Sequence, residues 1–131
     1  MGLKYIWDTN IVIYYLEQAF RLSGEELIDS IIDNYQPCIS IITEIELLCW
    51  KSATENDLIL LNNFISNSVV YDLDQNVKFK AIEIRKRTGL KLPDAIIAAF
   101  TLVNGHVLIS RNVSDFHKIP ELELLDPFNV G

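Results

Sequence analysis

The chain has 131 residues, half of them hydrophobic, and a formal net charge of −7. That length gives one domain with room for a sizeable core, and the apolar content excludes a disordered chain. The acidic balance excludes a protein that coats nucleic acid by bulk phosphate neutralisation. It does not exclude a nuclease, because Lys78, Lys80, Arg85, Lys86, Arg87 and Lys91 concentrate basic charge in one stretch.

Asp8 breaks the only apolar run near the N-terminus, so no secretory signal is visible. The uncharged apolar stretch Ala95–Val103 falls far short of the ~20 residues a membrane span requires. The expectation is a soluble, cytoplasmic protein with no membrane partner. Cys38 and Cys49 sit in apolar contexts without the Cys/His spacing of a zinc site. Both are expected as buried free thiols, and sequence alone leaves a disulfide open.

Along the chain, Leu3–Trp7 reads as a buried strand, then Asn10–Glu17 as a short helix with Ile11, Val12, Tyr15 and Leu16 at helical spacing. Glu25–Asp33 is a second amphipathic helix, and Gln36-Pro37 breaks the chain before a strand at Cys38–Ser40. Thr43–Lys51 and Glu55–Ile65 follow as helices, the latter with Leu58, Ile59, Leu61 and Ile65 expected inward. Val69–Tyr71 is a strand, and Asp74–Thr88 is a long helix stopped by Gly89. Pro93 opens another helix, which Asn104-Gly105 ends. Val107–Ile109 is a strand and Leu122–Leu125 a last short one. This alternation predicts a single three-layer α/β/α domain over residues 1–131, with a mainly parallel central sheet.

Four acids, Asp8, Glu46, Asp94 and Asp115, fall where strand-like runs give way to helices, Asp94 opening its helix after Leu92-Pro93. In an open parallel sheet such positions meet at the carboxyl edge, where ligands bind. Two like charges ~4 Å apart repel by about 4 kcal/mol at an effective dielectric of ~20. A hard divalent cation with oxygen ligands is the usual relief, so the pattern predicts a magnesium-type site.

Each acid also has a local alternative. Asp8-Thr9-Asn10 is built of helix N-cap residues, and Thr43 with Glu46 matches a capping box. Asp94 suits the positive end of a helix dipole. Glu44 and Glu46 lie about 200° apart around a helix, so only one faces a site. In Ser110-Arg111-Asn112-Val113-Ser114-Asp115, the residues Ser110, Asn112 and Asp115 each offer an oxygen, and the alternative is a turn plus cap. Arg111 and the basic stretch are available to position phosphates. His106 and His117 show no ligand spacing and read as structural or surface residues.

Asp8-Thr9-Asn10, Ile39-Ser40-Ile41-Ile42-Thr43 followed by Glu46-Leu47, Leu92-Pro93-Asp94-Ala95-Ile96-Ile97-Ala98-Ala99, and Arg111-Asn112-Val113-Ser114-Asp115-Phe116 together resemble the PIN-domain family. They look most like the VapC-type toxins of bacterial toxin–antitoxin pairs. The resemblance covers Leu3 to about Leu125. It implies a Mg²⁺- or Mn²⁺-dependent endoribonuclease with RNA as substrate, often a homodimer and held inactive by a cognate antitoxin protein. It also implies Asp8, Glu46 and Asp94 as metal-binding, catalytic acids. Glu46 aligns rather than Glu44, because the family's acid precedes the leucine at Leu47. A fourth acid falls at the position of Asn112 or of Asp115, and here Asp115 carries the charge. Thr9, Asn10, Ser110 and Asn112 are implied as supporting polar groups.

Two other readings compete. A catalytically silent PIN-like module would bind RNA or protein without cutting. A phosphatase- or receiver-like use of Asp8 as phosphoacceptor is disfavoured, since Asn10 stands where the former has a second aspartate.

Overall fold

A computed structural model describes residues 2–129. Five strands, β1 (Tyr5–Trp7), β2 (Cys38–Ser40), β3 (Val69–Tyr71), β4 (Val107–Ile109) and β5 (Leu124–Leu125), form one sheet in the order β3-β2-β1-β4-β5. Every pairing is parallel. Tyr5, Ile6 and Trp7 pair with Val107, Leu108 and Ile109, while Ser40 pairs with Tyr71.

Strand alternation assigns each face its core. Ile6, Cys38 and Leu108 point to one side, where α5 (Gln75–Thr88) brings Val77, Ala81 and Ile84, and α6 (Leu92–Val103) brings Ala95, Ala98, Ala99 and Phe100. Trp7, Ile39 and Ile109 point to the other, against α1 (Thr9–Leu16), α2 (Leu22–Asn34), α3 (Ile41–Leu48) and α4 (Glu55–Ser66). Helices therefore cover both faces, and the three-layer α/β/α expectation stands. A short helix α7 (Val113–Phe116) and a 3₁₀ turn at Pro127–Asn129 complete the described residues.

Element ends follow local chemistry. Gly89 stops α5 in the left-handed region at φ 72°, where the missing Cβ removes the penalty other residues meet. Pro93 sits in the first turn of α6, where its absent N–H costs nothing.

Three expectations need correction. Leu58 and Ile59 are 40% and 60% exposed, whereas α4 buries Leu61 and Phe64 and packs the partly buried Ile65 against the core, as expected for Leu61 and Ile65. A helix shows the core only a stripe, and a run as continuous as Leu58–Leu61 cannot all fit on it. Cys49 is exposed, because it caps α3 rather than entering the core; both thiols are free and only Cys38 is buried. Leu3 is 43% exposed and precedes the first strand instead of belonging to it.

Candidate active site

The strand order reverses between β1 and β4, since the chain runs β1, β2, β3 to one side and then places β4 on the other. Such a reversal leaves a crevice outside the carboxyl ends of the two strands. Asp8 follows β1 and Ser110 follows β4. The Ser110 hydroxyl donates to Asp8 Oδ2 at 2.7 Å, bridging the switch point. The Thr9 backbone N–H donates to Asp8 Oδ1 at 2.8 Å, so Asp8 caps α1 while it faces the cleft.

β2 delivers α3 to the same edge. Ser40 is its N-cap, accepting from the Thr43 N–H at 3.0 Å. The capping box of Thr43 with Glu46, the local alternative to a site role, does not form, because α3 begins two residues before Thr43. That early start puts Thr43 and Glu46 in the cleft wall. Thr9 Oγ1 donates to Glu46 Oε1 at 2.7 Å and lies 3.1 Å from Thr43 Oγ1. One hydroxyl proton serves one acceptor, and the carboxylate is the stronger one, so Thr43 donates to Thr9 in turn.

Asp94 comes from the first turn of α6. The cleft of about 240 Å³ is lined by Asp8, Glu46 and Asp94, together with Thr9, Asn10 and Asn112 among others. Asp115 stands beside it, outside the lining, accepting from Asn112 Nδ2 at 3.1 Å. Glu44 is not in the wall. Ser40 and Thr43 also line the cleft, although neither was expected as a site residue. A serine ending a strand just before an apolar helix was the signal that could have placed both.

Electrostatics bind the acids into one group. Burial raises the Asp94 carboxyl above its ordinary value, with the charges of Asp8, Asp115 and Glu46 adding to the rise and Lys91 opposing it. Asp8 is raised chiefly by burial and further by Glu46, against the lowering effect of its bonds from Ser110 and Thr9. Neither aspartate has an ion-pair partner among the described residues. Among the described residues, Lys91 offsets part of this negative charge from a distance and no cation forms an ion pair with either aspartate.

The donors are all oxygens, the set a hard divalent cation takes. Among the described residues, no three acidic, histidine or cysteine side chains stand close enough to share one ion directly. Asp8, Glu46 and Asp94 are the acids that line the cleft, and a hard cation that keeps several of its waters needs only one or two of them. The histidines stand apart: the Tyr71 hydroxyl is 2.8 Å from His106 Nε2, and His117 follows α7 on the surface. Arg111 is exposed, its guanidinium carbon 4.2 Å from the Phe128 ring centroid.

Fold and site together define a parallel α/β domain with an acidic, oxygen-donor centre at the sheet's switch point. Residues 5–122 match the family model of the PIN domain, and the chain belongs to that family. It is 29% identical, over 95% of its length and 98% of the relative's, to the tRNA(fMet)-specific endonuclease VapC of Salmonella typhimurium (strain LT2). Its backbone is similar to that in DNA-bound VapBC from Salmonella typhimurium, with a TM-score of 0.80 and 26% identity over 95% of this chain and 98% of that one. A toxin–antitoxin complex from Klebsiella pneumoniae gives a TM-score of 0.76 and 26% identity over 97% and 100%. Among the described residues no helix is long and apolar enough to cross a membrane.

Proposed function

We propose that the chain is a divalent-metal-dependent endoribonuclease and the toxin of a type II toxin–antitoxin pair. The observation that carries the reading is the set of Asp8, Glu46 and Asp94, drawn from three separate segments onto one cleft at the switch point with no ion-paired cation among the described residues. Full-length similarity to a VapC endonuclease supports it.

Asp8, Glu46, Asp94 and Asp115 would hold the ion, Mg²⁺ or Mn²⁺, directly or through its waters. A bound ion of this kind activates water for in-line attack on a phosphodiester and stabilises the leaving oxygen. The chain's own residues set the donors in place. Ser110 and the Thr9 N–H fix both oxygens of Asp8, and the Thr43–Thr9 hydroxyl chain orients Glu46. Asn112 holds Asp115, leaving Asn10 and Asn112 to present polar edges to substrate at the cleft. No nucleophilic side chain is required.

An antitoxin partner is supported by the VapBC complexes among the similar structures and by a second groove, whose lining includes Tyr15, Leu16, Ile28 and Leu60 together with Glu25 and Asp29. A lining that mixes apolar and acidic side chains suits an amphipathic segment carrying basic residues. A homodimer is supported by Phe79 and Ile82, exposed on α5. The alternative is a silent PIN-like module that binds RNA or protein without cutting.

Cleavage of a mixed pool of structured RNAs, tRNA included, separates the two. The chain is expected to cut only with Mg²⁺ or Mn²⁺, and Asp94→Asn is expected to cut at less than a hundredth of that rate, the order of loss a misplaced reacting group causes. Metal-independent cutting, or cutting that survives in Asp94→Asn, would remove the acid-site reading. No cutting, with no metal binding, would leave the silent module.

A further inference from the structure

We infer that Arg111 positions a substrate phosphate beside the acid cleft, held ready by an aromatic cradle that the C-terminal 3₁₀ turn completes. The inference rests on the nuclease reading above and extends it to how the RNA strand is held next to the bond that breaks.

The guanidinium carbon lies 4.2 Å from the Phe128 ring centroid and 5.8 Å from that of Tyr14. The rings are themselves braced: Tyr14 and Phe128 meet edge to face at 5.0 Å, and Phe20 stands 5.1 Å from Phe128. The backbone at Arg111 is pinned from both sides. Ser110 bonds Asp8, the Asn112 N–H donates to Ser110 Oγ at 3.0 Å, and the Asn112 side chain holds Asp115. Both ends of Arg111 are therefore fixed by groups other than a counter-ion.

Its donors remain uncommitted. Among the described residues no protein acceptor takes a hydrogen bond or ion pair from Arg111. Two arginines of α5 differ: Arg85 donates to the Gly89 and Leu90 carbonyls, and Arg87 makes a two-pronged pair with Glu121 at 2.9 and 3.0 Å. A guanidinium lying over a ring keeps its in-plane N–H edge for a second ligand, and that planar fork matches a phosphate.

Its placement matches the need. Tyr14 lies four residues beyond Asn10 on α1, on the same helix face, and Asn10 and Asn112 both line the cleft. The cradle thus continues the cleft wall. An RNA strand entering the cleft meets several carboxylates on a chain of net charge −7. A metal ion offsets charge at one phosphate, and a neighbouring phosphate needs a fixed cation that the carboxylates do not already hold.

The test is binding of a labelled, mixed-sequence single-stranded RNA to the Asp94→Asn chain over a range of KCl, followed by cleavage kinetics in the otherwise unchanged chain. Arg111→Ala is expected to weaken binding about tenfold, the loss of one hydrogen-bonded charge contact, and to make the salt slope shallower by about 0.7, the share of one phosphate on a single strand. Phe128→Leu keeps the charge and loses the cradle, so affinity falls while the slope stays. In cleavage, Arg111→Ala should raise KM with kcat little changed, as for binding shared by ground and transition states. Unchanged affinity and slope in Arg111→Ala would overturn the inference while leaving a cutting parent chain as a nuclease. A lower melting temperature with an unchanged slope would also overturn it, assigning Arg111 to holding the C-terminal turn. A parent chain that neither binds nor cuts RNA would remove the nuclease reading, and this inference with it.

Discussion

At the scale of single residues, the cleft shows carboxylates kept apart from cations and supported by hydroxyls. Thr9 is the clearest case, because its hydroxyl reaches Glu46 from a different segment of chain. Thr9→Val keeps the side-chain shape and removes that bond. Single-turnover cleavage is expected to slow about tenfold, the scale of a hydrogen bond to a charged group, and Thr9→Ser should restore it. The aspartates add a pH signature. Asp8 and Asp94 are both raised above the ordinary value of 3.8, so the folded chain binds these protons more tightly than the unfolded chain does. Their contribution to stability is fully present below that ordinary value and is lost as pH rises through the raised folded values. Urea unfolding of the metal-free chain should therefore show the parent falling progressively below Asp94→Asn as pH rises from about 4 to 7. A constant gap would mean that Asp94 does not titrate in that window. Asp8 and Asp94 stood out in the sequence because one follows a strand-like run and the other opens a helix, whereas Glu46 lies well inside α3 and Asp115 inside α7. The hydroxyl chain from Thr43 through Thr9 was not legible there, since it joins residues 34 and 37 positions apart.

At the scale of elements, strands β2, β3 and β4 were readable to the residue, because short apolar runs between breakers leave little choice of register. Helix starts were harder. Thr43 and Glu46 satisfy a capping pattern, yet Ser40 captures the Thr43 N–H first. Ser40 is buried and both caps α3 and lines the cleft, so structure and site share one side chain. Ser40→Ala should cost roughly 1–2 kcal/mol by loss of the cap, measured as a shift in urea midpoint at unchanged slope. A neutral result would mean water replaces the cap. The exposed faces of Leu58 and Ile59 could not be read either. An unbroken apolar run carries no periodicity, and its inward stripe is chosen by what the sheet and neighbouring helices present.

At the scale of the whole molecule, alternation within three-residue strands divides two cores, and two cores require helices on both faces. The parallel three-layer fold was therefore legible, and with it the edge on which the acids meet. The aromatic cradle around Arg111 was not, because Tyr14, Arg111 and Phe128 come from three distant segments that only the closed fold brings together. The same global view sets the decisive linkage between charge and metal. A cleft that gathers unneutralised carboxylates should stabilise when a divalent cation binds, by about 2.7 kcal/mol at a hundredfold excess over Kd. The measurement to make is the melting temperature of the chain and of Asp94→Asn at neutral pH, with and without millimolar Mg²⁺ or Mn²⁺. Without metal the variant should melt at or above the parent, since it sheds like-charge repulsion, and metal should raise the parent's melting temperature while moving the variant little. A parent indifferent to metal, or a variant that gains as much as the parent, would contradict a shared acid site for the ion.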